Sequence, residues 1–447
     1  MTAITRPEGN VAEGFPDRGF TAYWSAIGVS QFGTAVSMVT IPLIAVLTIG
    51  ATPEQMTWLV VMELAPALLT GVPAAAWADT LHRRLPPLIG CNVVQALVVG
   101  AIPLLWWLGS LDYPALLVLV GVSSLVRGLQ SALAGPILVQ TVPREHLVDA
   151  NGKTNATRSV ADIGGPAAGG MLTAVLAAPL VILVDAVSFL LSALLVRSLP
   201  AVPPPTGDGR ESLLRQARAG ASYVFRDRLL LGLALRPAVG NVAFLAVETV
   251  LALFAHERLG VGTFGFGLLL TAEACGGLLG AGIASFLGRR LGTGTALTCT
   301  ATVEGLAILG LATAPDPYLA GLALAVCGAG IGATMVLGPS LRQAIVPARL
   351  MGRVASTSRM LAMCAAPFGA FLGGWLATTY GIRTPIYAAG GLLLAMTAVT
   401  ATMTSNRRVE AALHRAASTG GSVRPQSGDP LREDAPDLQR PIDVPAR

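Results

Sequence analysis

Apolar runs of about 20 residues, each long enough to cross a hydrocarbon core about 30 Å thick, recur from one end of the chain to the other. Short polar segments separate them, and the fifth and sixth runs are divided only at Ala178-Pro179. This pattern predicts an all-α polytopic membrane protein with twelve transmembrane helices. The predicted spans are residues 20–48, 56–78, 85–108, 114–138, 156–177, 179–199, 229–255, 263–287, 294–314, 318–340, 354–380 and 385–404.

The composition agrees with this pattern. Of the 447 residues, 53% are hydrophobic and only 12% are charged, and the mean hydropathy is +0.65. A soluble domain usually carries about 25% charged residues, so the composition excludes a water-soluble globular protein. The 51 glycines and 30 prolines do not indicate disorder, because both residues are tolerated in membrane helices.

The basic residues cluster in loops on one side of the predicted bundle. That side receives Arg6, Arg18, Arg83, Arg84, Arg144, Lys153, Arg158, Arg210, Arg215, Arg218, Arg226, Arg228, Arg289, Arg290, Arg342, Arg349 and Arg353. The other side receives little beyond Arg258 and Arg383. Cytoplasmic loops carry the excess of Lys and Arg, so both termini are predicted to be cytoplasmic. The same placement accounts for the net charge of +5 without a nucleic-acid partner.

A polar, proline-rich stretch divides the twelve spans into six and six. The chain is therefore expected to contain a cytoplasmic N-terminal segment, a six-helix half, a cytoplasmic linker, a second six-helix half and a cytoplasmic tail. The tail is rich in Arg, Pro and Ser and shows no apolar face, which predicts disorder. These five parts cover residues 1–19, 20–199, 200–228, 229–404 and 405–447.

The two halves repeat each other weakly. Gly135-Pro136 recurs as Gly338-Pro339, each followed by a glutamine and a Val-Pro pair. The stretch from Pro166 to Gly170 recurs as Pro367 with Gly369, Gly373 and Gly374. Duplicated six-helix halves joined by a cytoplasmic linker are typical of transporters whose binding site lies between the halves.

The loop after the second span, AAWADTLHRR at residues 75–84, resembles the Gly-x-x-x-Asp-Arg-x-Gly-Arg-Arg pattern of the major facilitator superfamily. Asp79, Arg83 and Arg84 match, and Asp79 and Arg83 are spaced to pair if the helix continues. The resemblance implies that this group and Met351-Gly352-Arg353 latch the cytoplasmic side shut. The alternative, ordinary basic flanking of a membrane helix, leaves Asp79 unexplained. The positions that depart from the pattern are Ala75, Thr80 and His82.

Two further features extend the resemblance. The fifth span contains Gly165, Pro166, Gly169 and Gly170, which match the Gly-Pro-x-x-Gly-Gly signature of the superfamily's antiporters. Small residues let helices approach closely and proline kinks them, so plain helix packing is the alternative explanation. Arg127, in the middle of the fourth span, resembles an arginine implicated in proton transfer in the superfamily; a buried structural ion pair is its alternative role.

Acidic residues inside the spans are the candidate proton carriers. The superfamily's frequent first-helix acid is absent, because Thr34 follows Gly33 here. A carboxylate in apolar surroundings favours its neutral form, which suits reversible protonation. Glu63, Glu273 and Glu304 are preferred as proton carriers, with Arg127 as the nearby cation. Asp185 and Glu248 rank after them, the first as a structural residue and the second at the outer interface, and Arg236 is expected to reach the inner interface.

Neither an enzyme nor a cofactor-binding site is indicated. The histidines and the five cysteines lack metal-ligand spacing, and no phosphate-binding Gly-Lys-Ser/Thr is present, which argues against ATP hydrolysis. The segment from Val142-Pro143-Arg144-Glu145 to Asn151 and the segment Val184-Asp185-Ala186-Val187-Ser188-Phe189 resemble a bacterial efflux branch that includes macrolide and enterobactin exporters. The resemblance covers residues 20–404. The resemblance implies a monomeric transporter in the cytoplasmic membrane that exports small organic molecules, drugs or metabolites, against protons. The alternatives are a siderophore exporter and a non-transporting sensor or assembly protein.

Overall fold

The computed structural model describes residues 18–81, 83–142, 146–199 and 221–420, and its regular elements there are all helices. The N-terminal half contains α1 (Arg18–Leu43, continued by a π-helical stretch, Ile44–Ile49), α2 (Pro53–Thr80), α3 (Leu85–Trp107), α4 (Tyr113–Thr141), α5 (Leu147–Val175) and α6 (Leu183–Arg197, preceded by the single turn Ala178–Val181). The C-terminal half contains α7 (Arg228–Glu257), α8 (Thr263–Leu291), α9 (Thr293–Thr313), α10 (Pro317–Ile345), α11 (Ala348–Tyr380) and α12 (Thr384–Met403). A further helix, α13 (Asn406–Gly420), follows.

Ten helices of the described chain are long and apolar enough to cross a membrane. The prediction of an all-α polytopic membrane protein is therefore confirmed. The other two bundle helices, α2 and α5, have 28 and 29 residues and complete the two halves. Local signals set several helix starts: Thr52, Asp112 and Asp316 cap α2, α4 and α10, and each cap precedes a proline in the first turn.

Two predicted boundaries were wrong. α5 begins at Leu147 rather than 156, so Arg158, assigned above to a loop, lies inside the helix. The first turns of α5 are polar and carry no hydropathy signal, although they continue the helix. The predicted disordered tail begins instead with the amphipathic helix α13, whose Val409 and Ala412 are buried against α9 and α10. Residues 1–17, 200–220 and 421–447, which hold the remaining terminal and linker predictions, lie outside the described residues.

The two halves use the same packing scheme. In the N-terminal half α1 packs against α5 and α6, and α2 packs against α4; in the C-terminal half α7 packs against α11 and α12, and α8 against α10. Between the halves, α5 packs against α8 and α2 against α11. Each helix thus has a counterpart six helices later with the same neighbours, which confirms the predicted pseudo-symmetry.

Within the described residues, the largest apolar core that the halves share lies at one end. We call the end where α1 begins and α12 finishes the proximal end, and the opposite end the distal end. At the distal end one buried cluster joins Leu43 and Phe189 to Phe254 and Leu324 across the halves. Toward the proximal end, the cluster around Leu133 contains N-terminal residues and the cluster around Leu337 contains C-terminal residues. The halves therefore meet distally and have separate cores proximally.

Candidate functional site

A cavity of about 520 Å³ lies between the halves and is bounded mainly by α1, α5, α7, α8 and α10. Most of its wall is apolar, with Met38, Phe244, Leu270 and Met335 among the lining residues. Because the shared core closes the distal end, this central cavity faces the proximal end. Its charged lining residues are Arg158, Asp162, Glu248 and Glu273.

The four charged groups of the central cavity differ in their partners. On α5, Arg158 Nε lies 3.8 Å from Asp162 Oδ2, one helical turn away, and both side chains are more than half exposed. Glu248 on α7 and Glu273 on α8 are partly buried. Among the residues that the structure describes, neither glutamate is hydrogen bonded or within ion-pair distance of a cation. The cavity therefore has one balanced ion pair and two carboxyl groups without a protein partner.

Close helix packing fixes the position of Glu273. A Cβ atom on Gly276 of α8 would collide with the carbonyl group of Ala325 on α10, and one on Gly328 of α10 would collide with the carbonyl oxygen of Glu273 itself. Glycines at these positions allow the two backbones to touch. The backbone of Glu273 is thus held directly against α10, and its side chain faces the cavity.

A second, much smaller cavity lies inside the N-terminal half and is lined by Glu63, Arg127 and Asp185. Ser124 of α4 is inserted into the backbone of α2: it donates to the carbonyl of Glu63 at 2.6 Å and accepts from the amide of Ala67 at 3.2 Å. One turn later on α4, Arg127 Nη1 lies 3.6 Å from Glu63 Oε1, and Nη2 donates to the Glu63 carbonyl at 3.4 Å. Glu63 and Arg127 therefore form a partly exposed ion pair, and the role of Arg127 in proton transfer stays a prediction.

Asp185 of α6 occupies the same small cavity and is only 3% exposed. Ser37 of α1 donates to its Oδ2 at 2.7 Å. Thr34 and Ser188 approach Oδ1 at 3.5 and 3.3 Å. Asp185 also lies close to Gly33, where a Cβ atom would be 2.8 Å from Oδ1. The Asp185 carboxylate thus contacts the face of α1 that contains Thr34 and Ser37, where the first helix has no acid of its own.

A third cavity, of about 290 Å³, lies inside the C-terminal half and contains Arg236 and Glu304. The expectation that Arg236 reaches the inner interface is wrong. Its guanidinium is mostly covered, with the side chain 14% exposed; it donates to the carbonyl of Leu297 and to Thr334 Oγ1 and lies 4.0 Å from Glu304 Oε2. Groups on α9 and α10 therefore provide the hydrogen bonds that water would otherwise give to Arg236.

The central cavity adjoins each of the two side cavities. Met38 lines both the central cavity and the small N-terminal one. Phe244, Ile331 and Met335 line both the central cavity and the C-terminal one. The central cavity between the halves therefore adjoins one side cavity in each half, and the side chains at both boundaries are apolar.

The comparison with known proteins decides the family. A model of the Major Facilitator Superfamily matches residues 23–363 and 263–427. The chain belongs to this superfamily. It is 27% identical over 363 residues to the uncharacterised MFS-type transporter y4rN of Sinorhizobium fredii, covering 79% of this chain and 87% of that protein. It is also 27% identical over 336 residues to the multidrug efflux pump Tap of Mycolicibacterium fortuitum, covering 72% and 80%.

A solved structure gives the same fold. The crystal structure of a bacterial homologue of the iron transporter ferroportin, in an inward-facing state, has a TM-score of 0.70 to this chain. The two are 18% identical, and the match covers 88% of this chain and 100% of the other. Together with the family, these relatives identify the chain as a multi-pass membrane transporter of small molecules and not an enzyme.

The antiporter-like motif of this transporter serves two different contacts. A Cβ atom on Gly165 or Gly169 would press against α1, at Ala35 and Val36, within the same half. A Cβ atom on Gly170 would lie 2.9 Å from Gly267 of α8, in the other half. Pro166 adds its carbonyl oxygen to this interface, against Gly267. Gly170, rather than Gly169, is therefore the motif glycine that touches the opposite half.

The predicted cytoplasmic latch is only partly described. Asp79 lies in the last turn of α2, but its side chain and the whole of His82 lie outside the described residues. Arg83 is exposed, whereas Arg84 is buried and donates from Nε to the carbonyl of Ala78 at 3.1 Å, at the end of α2. The latch stays a prediction, as does the repeat at Gly135-Pro136, whose side chains are likewise outside the described residues.

The proton-carrying roles of Glu63, Glu273 and Glu304 stay predictions, but the structure gives these acids different surroundings, and sequence reasoning missed one pair. Glu273 faces the central cavity as a free carboxyl group, but Glu63 and Glu304 are both paired with arginines in side cavities. Glu248, expected at the outer interface, lines the central cavity. Asp162 was overlooked although it lies inside the predicted fifth span, and its spacing from Arg158 was the available signal. Within the described residues, no cluster of three or more His, Cys, Asp or Glu could hold a metal.

Proposed function

We propose that this transporter exports organic molecules that carry a positive charge on an apolar body, in exchange for protons. The observation that carries the proposal is the pair of unpartnered carboxyl groups, Glu248 and Glu273, in the wall of a mostly apolar cavity. A volume of about 520 Å³ lies in the range of pockets that enclose drug-sized ligands. Apolar walls bind the body of such a molecule without selecting one shape.

The exchange of substrate for protons follows from the free energy that an unneutralised carboxylate costs in apolar surroundings. An ionised carboxylate in apolar surroundings costs several kcal/mol unless a proton or a cation neutralises it. A proton and an organic cation can each do so at Glu248 and Glu273, so the two compete for the same groups. Release of the proton on one side and of the substrate on the other couples their movements. Inward proton flow supplies about 2.3 kcal/mol per charge per 100 mV, and therefore no ATP site is required.

The proposed direction is outward across the cytoplasmic membrane of a bacterium, with both termini in the cytoplasm. Among the described residues, the proximal end carries Arg83, Arg84, Arg289 and Arg290, which supports this orientation. The central cavity then faces the cytoplasm in the present conformation. The name of the relative Tap, a multidrug efflux pump, supports export of more than one compound. A siderophore exporter remains the alternative, but anionic chelating groups would oppose two glutamates.

The test compares Glu248→Gln, Glu273→Gln and the double variant with Glu257→Gln. Glutamine preserves the shape of glutamate but cannot bind a proton reversibly. Glu257 lies at the exposed distal end of α7, outside the cavity, and is the matched control. In energised inverted vesicles, the cavity variants should lose uphill transport of tetraphenylphosphonium or ethidium, and Glu257→Gln should keep it. Normal pumping by the double variant, or pumping that survives a protonophore, contradicts the proposal.

A further inference from the structure

The small N-terminal cavity holds an acid that the central cavity does not use. Asp185 is almost fully buried, at 3% exposure, and the side chains nearest its carboxylate are hydroxyl groups. Thr34 and Ser37 come from α1, and Ser188 comes from the next turn of α6. A structural aspartate in a membrane bundle normally has a cationic partner. No cation lies within ion-pair distance of Asp185 among the described residues.

The charges that face this cavity leave one negative charge uncompensated. α2 contributes Glu63, α4 contributes Arg127 and α6 contributes Asp185, whereas α1 contributes Thr34 and Ser37 among its polar groups. The residues lining it from α3 are apolar. Arg127 is paired with Glu63 at 3.6 Å and with the Glu63 carbonyl, and it acts on Asp185 only from beyond ion-pair distance, so one base is shared between two acids. Two acids against one base therefore require one further positive charge when both acids are ionised.

The size of the cavity limits what can supply that charge. Its volume of about 20 Å³ accommodates little more than one water molecule, which needs about 10–15 Å³. A hydrated metal ion or an organic cation does not fit beside Arg127. A proton needs no volume, and Ser37 can serve both states: its hydroxyl donates to the ionised carboxylate and accepts from the protonated one.

We propose that Asp185 is a second proton-binding group of the transporter, separate from the substrate cavity and reached from it past Met38. The inference rests on the proposed proton exchange. Met38 lines both cavities and is half exposed, so it is the boundary that a proton-carrying water would pass. On the distal side, the lining residues Ile41 and Ile102 pack in the shared apolar core. In this conformation Asp185 therefore exchanges protons only toward the central cavity.

The first experiment measures protonation directly, by the pH titration of carboxyl C=O bands in infrared difference spectra of the purified, reconstituted transporter. The unmodified protein should show a titrating band that Asp185→Asn lacks. Ser37→Ala should shift the pH midpoint of this band, because it removes the hydroxyl that contacts Oδ2. Ser192→Ala, a buried position on α6 outside the cavity, should leave the band unchanged and serves as the control. A full set of bands in Asp185→Asn overturns the proposal.

The second experiment measures function in the same variants. Asp185→Asn should bind tetraphenylphosphonium as the unmodified protein does, since Asp185 does not line the substrate cavity, but should lose uphill efflux. Asp185→Glu, which keeps a titrating group, should restore part of that efflux and controls for misfolding. A pH profile of efflux identical in Asp185→Asn and unmodified protein overturns the proposal, as does a requirement for sodium in place of the titrating band.

The two experiments also separate this inference from the proposed function. If unmodified transporter moves tetraphenylphosphonium without protons, the exchange mechanism fails while the infrared band still reports whether Asp185 titrates. If efflux is proton-driven but no band is lost in Asp185→Asn, proton exchange stands and the second site fails.

Discussion

The distal contact between α5 and α8 sets a steric limit that a single methyl group should exceed. A Cβ atom on Gly170 would lie 2.9 Å from Gly267 Cα and 3.0 Å from the carbonyl oxygen of Thr263. Carbon atoms in contact are ordinarily about 3.5–4.0 Å apart, so Gly170→Ala requires the helices to separate by about 0.6–1.1 Å. Both obstructing groups are backbone atoms, and a side-chain rotation cannot relieve the clash.

The clash raises the free energy only of conformations in which α5 and α8 touch at the distal end. Inserting a methyl group into a closely packed contact typically costs about 1–3 kcal/mol. The penalty applies where the distal ends of α5 and α8 touch, as they do here, and vanishes where those ends are apart. Gly170→Ala should therefore shift the equilibrium toward distally open conformations by about 5- to 150-fold.

Pulsed electron paramagnetic resonance can measure this shift. Spin labels at Val175, the exposed end of α5, and Tyr318, the exposed start of α10, span the distal end in a background without the five native cysteines. Gly170→Ala should populate longer distances between the labels. The matched control is Gly164→Ala, where the new Cβ would lie 3.7 Å from Phe32, an ordinary contact. An unchanged distance distribution in Gly170→Ala, with normal transport, would refute the reasoning.

Two further predictions concern packing and orientation. Gly276→Ala should destabilise the transporter by about 1–3 kcal/mol, because the new Cβ would collide with the Ala325 carbonyl on α10. The unfolding temperature in detergent should fall accordingly. Gly282→Ala on the same helix faces open space and should be neutral, and equal stability of the two variants would contradict the close contact. Cysteines at Ser110 and Asp316, in distal loops, should react with impermeant reagents added outside intact cells, whereas a cysteine at Glu410 on α13 should not. External labelling of the Glu410 position would reverse the proposed orientation.

Hydropathy predicted most of the fold because the membrane imposes length and composition on each helix. It failed where those constraints end. The first turns of α5, from Leu147, are polar and lie outside the apolar run, and α13 follows the last spanning helix. In α13, Val409, Ala412, Leu413 and Ala416 recur at helical spacing, so the apolar face was present in the sequence and was missed. Val409 and Ala412 pack this face against the C-terminal core.

The site was less predictable, because the direction of a side chain depends on helix rotation and on distant partners. Arg236 lies near the start of α7, where an arginine can usually reach water. Its actual partners, Thr334 and Glu304, come from α10 and α9, far along the chain. Glu63 and Glu304 were selected as deep acids, and both are deep, but each is paired with an arginine. The sequence indicated that Glu63 and Glu304 lie deep in the membrane, but it did not indicate that each pairs with an arginine.

The glycines of α5 and α11 show that packing was duplicated while charge was not. Gly165, Gly169 and Gly170 have counterparts at the same interval in Gly369, Gly373 and Gly374, the first two pressed against α7 and the third against Thr57 of α2. The proline does not follow this interval, since Ala370 stands at the position that corresponds to Pro166.

The same interval takes the charged pair Arg158 and Asp162 of α5 to Ala362 and Ala366 of α11. The halves therefore keep equivalent contacts, which a symmetric rocking motion needs, but present different walls to the cavity. The N-terminal wall carries a balanced ion pair, and the C-terminal wall carries Glu248 and Glu273, whose carboxyl groups have no partner within the described part of the chain. A cationic substrate is accordingly expected to place its charge against the C-terminal half and its apolar body toward α1 and α5.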